Sequence, residues 1–295
     1  MLHIPVLLKD VLNQLPQKME VGVDGTFGRG GHCKAIMDEY GDCKMIGLDR
    51  DIDAISFGQE QFKEDIENNR LKLFHSNYIE IDETQKNNPA DFPEEVDFIL
   101  VDLGVSSPQL DEAERGFSFY SKGPLDMRMD QREKLTAAEI VNEWSEEDLY
   151  TVFQKYGEVR NPNRIVKAIV MDRQTKDFET TDDLSRMIER VLGWSQKGKH
   201  PATQYFLALR LIVNQELQQV EDALEMFINR LSHKGRLLVI TFHSLEDRIV
   251  KYKFKALKDL GNIITKKVIQ ATWDEKKTNP RSRSAKLRVF ERIKQ

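Results

Sequence analysis

The chain has 295 residues, 40% of them hydrophobic and 32% charged, with a formal net charge of −5 at pH 7. That length and apolar content supply a core for one large α/β domain, with room for a smaller insert, so no disulfide or metal is needed to hold the fold. Cys33 and Cys43 are the only cysteines, which predicts free thiols in a reducing compartment and no zinc site. No apolar run reaches the ~18 residues of a membrane span. The opening Met1-Leu2-His3-Ile4-Pro5 lacks the organisation of a signal peptide, so a cytoplasmic protein without membrane contact is expected.

In chain order, Leu7, Leu8, Val11, Leu12 and Leu15 recur at helical spacing and stop at Pro16. An alternating strand from Met19 to Val23 follows, then a glycine-rich turn, a helix over Cys33 to Tyr40, and a second strand over Cys43 to Leu48 that ends in Asp49. A helix over Asp51 to Ile66 and a short strand over Leu71 to Phe74 lead into the loop His75-Ser76-Asn77-Tyr78. Val96 to Val101 is a nearly continuous apolar run, as expected for a parallel strand covered on both faces, and it ends in Asp102. Alternating strands and helices predict a parallel sheet with a ligand crevice at the strands' carboxyl ends, where Asp24, Asp49, Tyr78 and Asp102 all fall.

From Gly104 to about Lys199 the alternation ceases. Helices are predicted around Thr136 to Trp144, Glu146 to Tyr156, Pro162 to Arg173 and Thr181 to Leu192, which points to an inserted helical subdomain. The α/β pattern then resumes with one long helix over Ala202 to Leu231, a stop or turn at Gly235, a strand over Arg236 to Thr241 and a helix over Leu245 to Leu257. Two last strands, Asn262 to Ile269 and Lys286 to Ile293, would form a hairpin. The predicted organisation is 1–107 and 200–295 as the two parts of the sheet domain, with 108–199 inserted.

Three features carry chemistry. The run Asp24-Gly25-Thr26-Phe27-Gly28-Arg29-Gly30-Gly31-His32 puts four glycines after a strand, so that main-chain N–H groups can approach a ligand; tight packing alone is the other reading. Asp49, 25 positions after Asp24, sits where doubly wound folds place a carboxylate on ribose hydroxyls. The G-x-G-x-x-G spacing of dinucleotide sites is absent, which disfavours a nicotinamide cofactor and leaves S-adenosylmethionine, whose cationic methionine part Asp24 would face. At Asp102-Leu103-Gly104-Val105-Ser106-Ser107-Pro108-Gln109-Leu110 a polar loop leaves the fourth strand. Asp102 would either accept a proton from an amine substrate or contact the cofactor, with rate coming from placement of donor and amine.

The third feature is charge. From Lys251 onward, 14 Lys and Arg stand against 4 Asp and Glu, so the last segment carries +10 and the rest −15. Lys266, Lys267, Lys276, Lys277, Arg281, Arg283, Lys286 and Arg288 lie there with Trp273 and Phe290, which suits phosphate contact and base stacking, or a solvated face. In His243-Ser244-Leu245-Glu246-Asp247-Arg248, Ser244 and Asp247 read as a helix cap, with His243 and Arg248 as substrate contacts.

Taken with Glu114-Arg115-Gly116-Phe117-Ser118-Phe119, Gly123-Pro124-Leu125-Asp126-Met127-Arg128-Met129-Asp130 and Asn279-Pro280-Arg281-Ser282-Arg283-Ser284-Ala285-Lys286-Leu287-Arg288, these motifs closely resemble the RsmH (MraW) family, in the same order from His3 to Arg288. The resemblance implies a class I, Rossmann-like sheet with a helical insert for substrate recognition. It implies S-adenosyl-L-methionine-dependent methylation of a cytidine N4 amine in the decoding region of small-subunit (16S) ribosomal RNA, without a metal. The cofactor contacts it implies are Gly30, Gly31, His32, Asp49, Tyr78, Asp102 and Gln109, beside Asp24. Arg115, His243, Arg248, Arg281 and Arg283 are the candidate RNA contacts, and His32 is cofactor-proximal rather than catalytic. Partners would be the free ribosomal RNA or the assembled small subunit, with monomer or homodimer left open. Val159, Gln204, Tyr205 and Leu207 depart from the family pattern in the insert. The rival readings are an RNA-binding assembly factor with a vestigial fold and a methyltransferase for protein or small molecules.

Overall fold

The computed structural model describes residues 4–193 and 200–294. The chain forms two compact units, one running through Gly104 and resuming at Leu217, the other spanning Val105–Glu216.

The first unit is built on a sheet. Its strands are β1 (Val21–Asp24), β2 (Lys44–Asp49), β3 (Leu71–His75), β4 (Val96–Asp102), β5 (Leu231–Thr241), β6 (Gly261–Ile263), β7 (Ile269–Gln270) and β8 (Lys286–Arg292), in the order β3-β2-β1-β4-β5-β8-β6, with β7 also paired to β8. The first five are parallel; β8 enters antiparallel to β5. The apolar run of β4 explains its central place, since Phe98, Ile99 and Leu100 are fully buried. Asp97, the polar residue in that run, ties its neighbours: one carboxylate oxygen accepts from the N–H groups of Glu20 and Val21, the other from the Ser232 hydroxyl.

Several elements differ from the sequence reading. The helix expected over 51–66 is two, Ile52–Gln61 and Lys63–Glu67, because Phe62 leaves helical geometry to pack edge-on against Phe27, ring centroids 5.6 Å apart. The turn expected at Gly235 is an irregularity inside β5: Val96 pairs with Leu231 and Phe98 with Arg236, so residues 232–235 bulge out of register, with Lys234 at φ +65. The final hairpin is three strands, β6 and β7 sharing β8.

The long helix expected over 202–231 is also two, Thr203–Val213 and Glu216–Arg230. Between them Asn214 is buried; its amide donates to the carbonyls of Met127 and Arg210, its oxygen accepts from the Met129 N–H, and Gln215 takes φ +50. This break moves the boundary of the inserted unit from 108–199 to 105–216. Tyr205, Phe206, Leu209 and Val213 belong to the apolar core of that unit, which the first helix after the expected boundary therefore completes. Its other helices are Ala137–Glu143, Glu146–Lys155, Asn163–Asp172 and Thr181–Leu192. Phe117, Met127 and Met129 pack in this same core.

Residues 114–130 are the scaffold of the insert. Arg115 is 6% exposed and its guanidinium donates to the carbonyls of Arg128 and Met129, so the expectation that it contacts RNA is replaced by a structural role: a buried cation ordering a loop. Of the departures in the insert, Tyr205 is buried and meets Phe153 edge-on at 5.0 Å, and Val159 packs on the same core.

Candidate functional site

Carboxylates stand at the carboxyl ends of three adjacent parallel strands, Asp49 on β2, Asp24 on β1 and Asp102 on β4. The glycine turn after β1 is held against both neighbours. The Gly25 N–H donates to the Leu100 carbonyl, Phe27 N–H to the Leu48 carbonyl, and the Thr26 hydroxyl accepts from the Asp102 N–H. Thr26 N–H donates to Asp24 Oδ1, Gly28 N–H to Asp49 Oδ2 at 2.7 Å, and Gly30 N–H to the Phe27 carbonyl.

The N–H groups of Gly25, Thr26, Phe27, Gly28 and Gly30 are thus turned to the protein, not held out to a ligand. A phosphate would find these donors engaged, whereas a cation would find carboxylates. Gly30 itself answers to packing, since at φ +68 a Cβ would lie 2.6 Å from the rings of Phe27 and Phe62. Gly31 lies so close to Pro5 that a Cβ would come within 2.7 Å of its Cγ.

Burial raises all three carboxylates. Asp24 is pushed up to about 7 by desolvation, against the Thr26 N–H bond, and Asp49 adds repulsion. Asp49 is pushed up to about 6 by desolvation, against hydrogen bonds from Asp51 and Gly28. Asp102 is held well above the ordinary carboxylate range by burial first, then by the charges of Asp24 and Glu246. Its Oδ1 is buried without a hydrogen-bond partner among the described residues, and Oδ2 lies 3.9 Å from His32 Nδ1. His32 opens the helix Gly31–Glu39, and its Nε2 is 2.9 Å from the Val6 carbonyl.

An orphaned carboxylate oxygen beside carboxylates held above their usual values is a site short of positive charge. The cationic methionine part of S-adenosylmethionine fits that deficit. Asp49, fixed by Gly28 and Asp51, keeps lone pairs for ribose hydroxyls.

Glu246 was missed in the sequence. The helix Ser244–Ala256 is capped by His243, not Ser244: His243 Nδ1 accepts from the Glu246 N–H, and Glu246 Oε2 accepts from the N–H groups of Phe242 and His243. His243-x-x-Glu246 directly after a strand was the available signal. Asp247 instead binds Lys286 and Arg288; burial pushes its carboxyl up, but these bonds bring it below the ordinary value. Those two cations therefore leave the basic surface expected from the sequence, while Arg248 and Arg283 stay exposed and Arg281 is half-buried.

Tyr78, expected as a cofactor contact, is buried; its ring lies 6.0 Å from that of Phe227 and lines an apolar cavity with Val101, Leu103 and Leu224. Gln109 lies in the inserted unit, 5% exposed, and forms a capping box with Ser106 through its side-chain oxygen. Among the described residues no group of three or more His, Cys, Asp or Glu could hold a metal ion, and no helix is long and apolar enough to cross a membrane.

The profile of the MraW methylase family matches residues 1–293. The chain belongs to the MraW methylase family. It is 52% identical over 99% of its length to a protein of Bdellovibrio bacteriovorus named ribosomal RNA small subunit methyltransferase H, covering 88% of that protein. A relative of the same name from Caldicellulosiruptor saccharolyticus is 43% identical, with 99% of each chain covered. Among solved structures, an rRNA methylase from Streptococcus thermophilus aligns over 100% of this chain and 99% of its own at 11% identity, TM-score 0.46. Family membership and the 52% identical relative make the protein an S-adenosylmethionine-dependent methyltransferase, and its strand order with an antiparallel β8 is a class I arrangement.

Proposed function

We propose that this methyltransferase modifies the N4 amine of a cytidine in the decoding region of small-subunit ribosomal RNA, in the cytoplasm. What carries the reading is the carboxylate rim, in a chain half identical to a relative named for small-subunit ribosomal RNA. Bound S-adenosylmethionine supplies a methyl group on a cationic sulfur. Asp24 neutralises its charged methionine part and Asp49 receives its ribose.

The N4 amine of cytosine is a weak nucleophile because its lone pair is delocalised into the ring, so it gains from an acceptor for its N–H. Asp102 is that acceptor. Its Oδ1 has no hydrogen-bond partner among the described residues, and with the cofactor's positive charge beside it to keep the carboxyl ionised it can take up the proton the amine loses. His32, fixed by Val6, stands behind it. The target base must be unpaired to reach the rim, with Arg248, Arg281 and Arg283 on flanking phosphates and His243 at the end of β5. In vitro methylation of small-subunit RNA and of assembled subunits, followed by nucleoside analysis, tests this. N4-methylcytidine in either substrate is the expected product, and methylation of another nucleoside, or none, overturns it.

A further inference from the structure

The segment after β7 has two unlike faces. Inward, the helix Trp273–Thr278 and the turn Pro280–Ser284 anchor the start of the chain: Glu275 Oε1 accepts from the Leu7 N–H at 2.7 Å, and the Asn279 amide donates to the Ile4 carbonyl at 3.0 Å. Ser282 is fully buried and donates to the Asn279 carbonyl. Outward, Trp273 is 73% exposed, with Lys277 Nζ 5.4 Å from its ring centroid, and Arg283 is exposed on the turn that packs against this helix. Lys266 and Lys267 are exposed on the connection just before β7.

A large aromatic left in water beside cations is chemically suited to one kind of occupant, an anion with a flat π-face. Every nucleobase offers that face, and stacking is worth about 1–3 kcal/mol per base. The location agrees. Residues 4–7 lie between this segment and the cofactor turn: Glu275 holds Leu7, Val6 holds His32, and Pro5 packs on Gly31. Through residues 4–7 the segment that carries Trp273 is thus tied to the start of the helix that bears His32.

We propose that Trp273 is the stacking platform for an unpaired nucleotide flanking the target base, with Lys277 and Arg283 on the adjoining phosphates. This rests on the reading above that the substrate is RNA. The test uses the full chain and a short labelled single-stranded RNA of small-subunit sequence, with binding of S-adenosylhomocysteine by calorimetry as the measure of an intact site. Trp273→Ala should weaken RNA binding about tenfold with an unchanged salt slope, and Trp273→Phe should restore most of it. Lys277→Ala combined with Arg283→Ala should lower the salt slope by about 1.4, the value for two phosphate contacts on a single strand.

Unaltered RNA affinity in Trp273→Ala, with normal S-adenosylhomocysteine binding, overturns the platform. So does an oligo-glutamate peptide that binds as well as the RNA and loses affinity equally in the variant, since the occupant is then an acidic protein. If the wild type methylates RNA and Trp273→Ala does so with the same KM for RNA, the platform alone falls. If the wild type transfers no methyl to RNA, the functional reading falls and takes the platform with it.

Discussion

The ring of His32 is pinned from behind: Nε2 donates to the Val6 carbonyl at 2.9 Å, which turns Nδ1 toward Asp102 Oδ2 at 3.9 Å. Among the described residues this is the one close basic contact of Asp102, whose other charged neighbours are Asp24 and Glu246. A cationic ligand here competes with protons.

Binding of S-adenosylmethionine should therefore release protons near neutral pH. Asp24 and Asp49 titrate at about 7 and about 6 in the free protein, and a nearby positive charge lowers both. Affinity should rise from about pH 6 to about pH 8 and then level off. For the free protein the sign is opposite. Both values lie above the unfolded one, so the stability these groups contribute is full below about pH 3.8 and is lost as pH rises through about 6 and about 7. Calorimetry at about pH 6.5 in two buffers of different ionisation heat reads the proton count, and identical heats would contradict it.

Asp49→Ala should weaken S-adenosylhomocysteine binding about 10- to 100-fold, the worth of hydrogen bonds to a charged acceptor. The loss has two sources, the ribose contact and the bond that fixes Gly28. Isothermal titration gives the affinity; wild-type binding would remove Asp49 from the site.

Gly30→Ala should destabilise the fold by about 2–4 kcal/mol, from the left-handed backbone and from overpacking against Phe27 and Phe62. Urea unfolding measures this. A loss of cofactor binding with unchanged stability would assign Gly30 to the ligand instead.

Asn214→Ala removes the hydrogen bonds to the Met129 N–H and the Met127 carbonyl in the core of the inserted unit, at a cost of about 2–3 kcal/mol. Asn214→Asp should also destabilise, because the new oxygen cannot donate to Met127. A neutral effect of either on urea unfolding would mean the two helices meet at this point for another reason.

The parallel strands and their terminal carboxylates were legible because period and composition alone place Val96 to Val101 in a sheet centre and Asp102 at its end. The break at Asn214 was not, since the flanking residues keep helical periodicity and only contacts with Met127 and Met129, far away in sequence, end the helix. The same holds for Arg115, whose charge reads as surface until its two carbonyl partners are seen. Glu246 was hidden because Ser244 is the better cap by residue type, while the chain leaves β5 one residue too early for it. The glycine turn reads from the sequence as a ligand cradle, but the N–H groups of Gly25, Thr26, Phe27, Gly28 and Gly30 brace the strand ends, a role that only their partners in the neighbouring strands and carboxylates reveal.

The central β4–β5 pairing joins Asp97 to Ser232, 135 positions apart, with a complete helical unit between them. During synthesis β4 emerges long before its partner, and its apolar edge must wait while the intervening unit, which has its own core, acquires structure. Release of the nascent chain before β5 would leave a hydrophobic parallel edge open to other chains, so truncations in this region are expected to aggregate rather than to yield a smaller working enzyme.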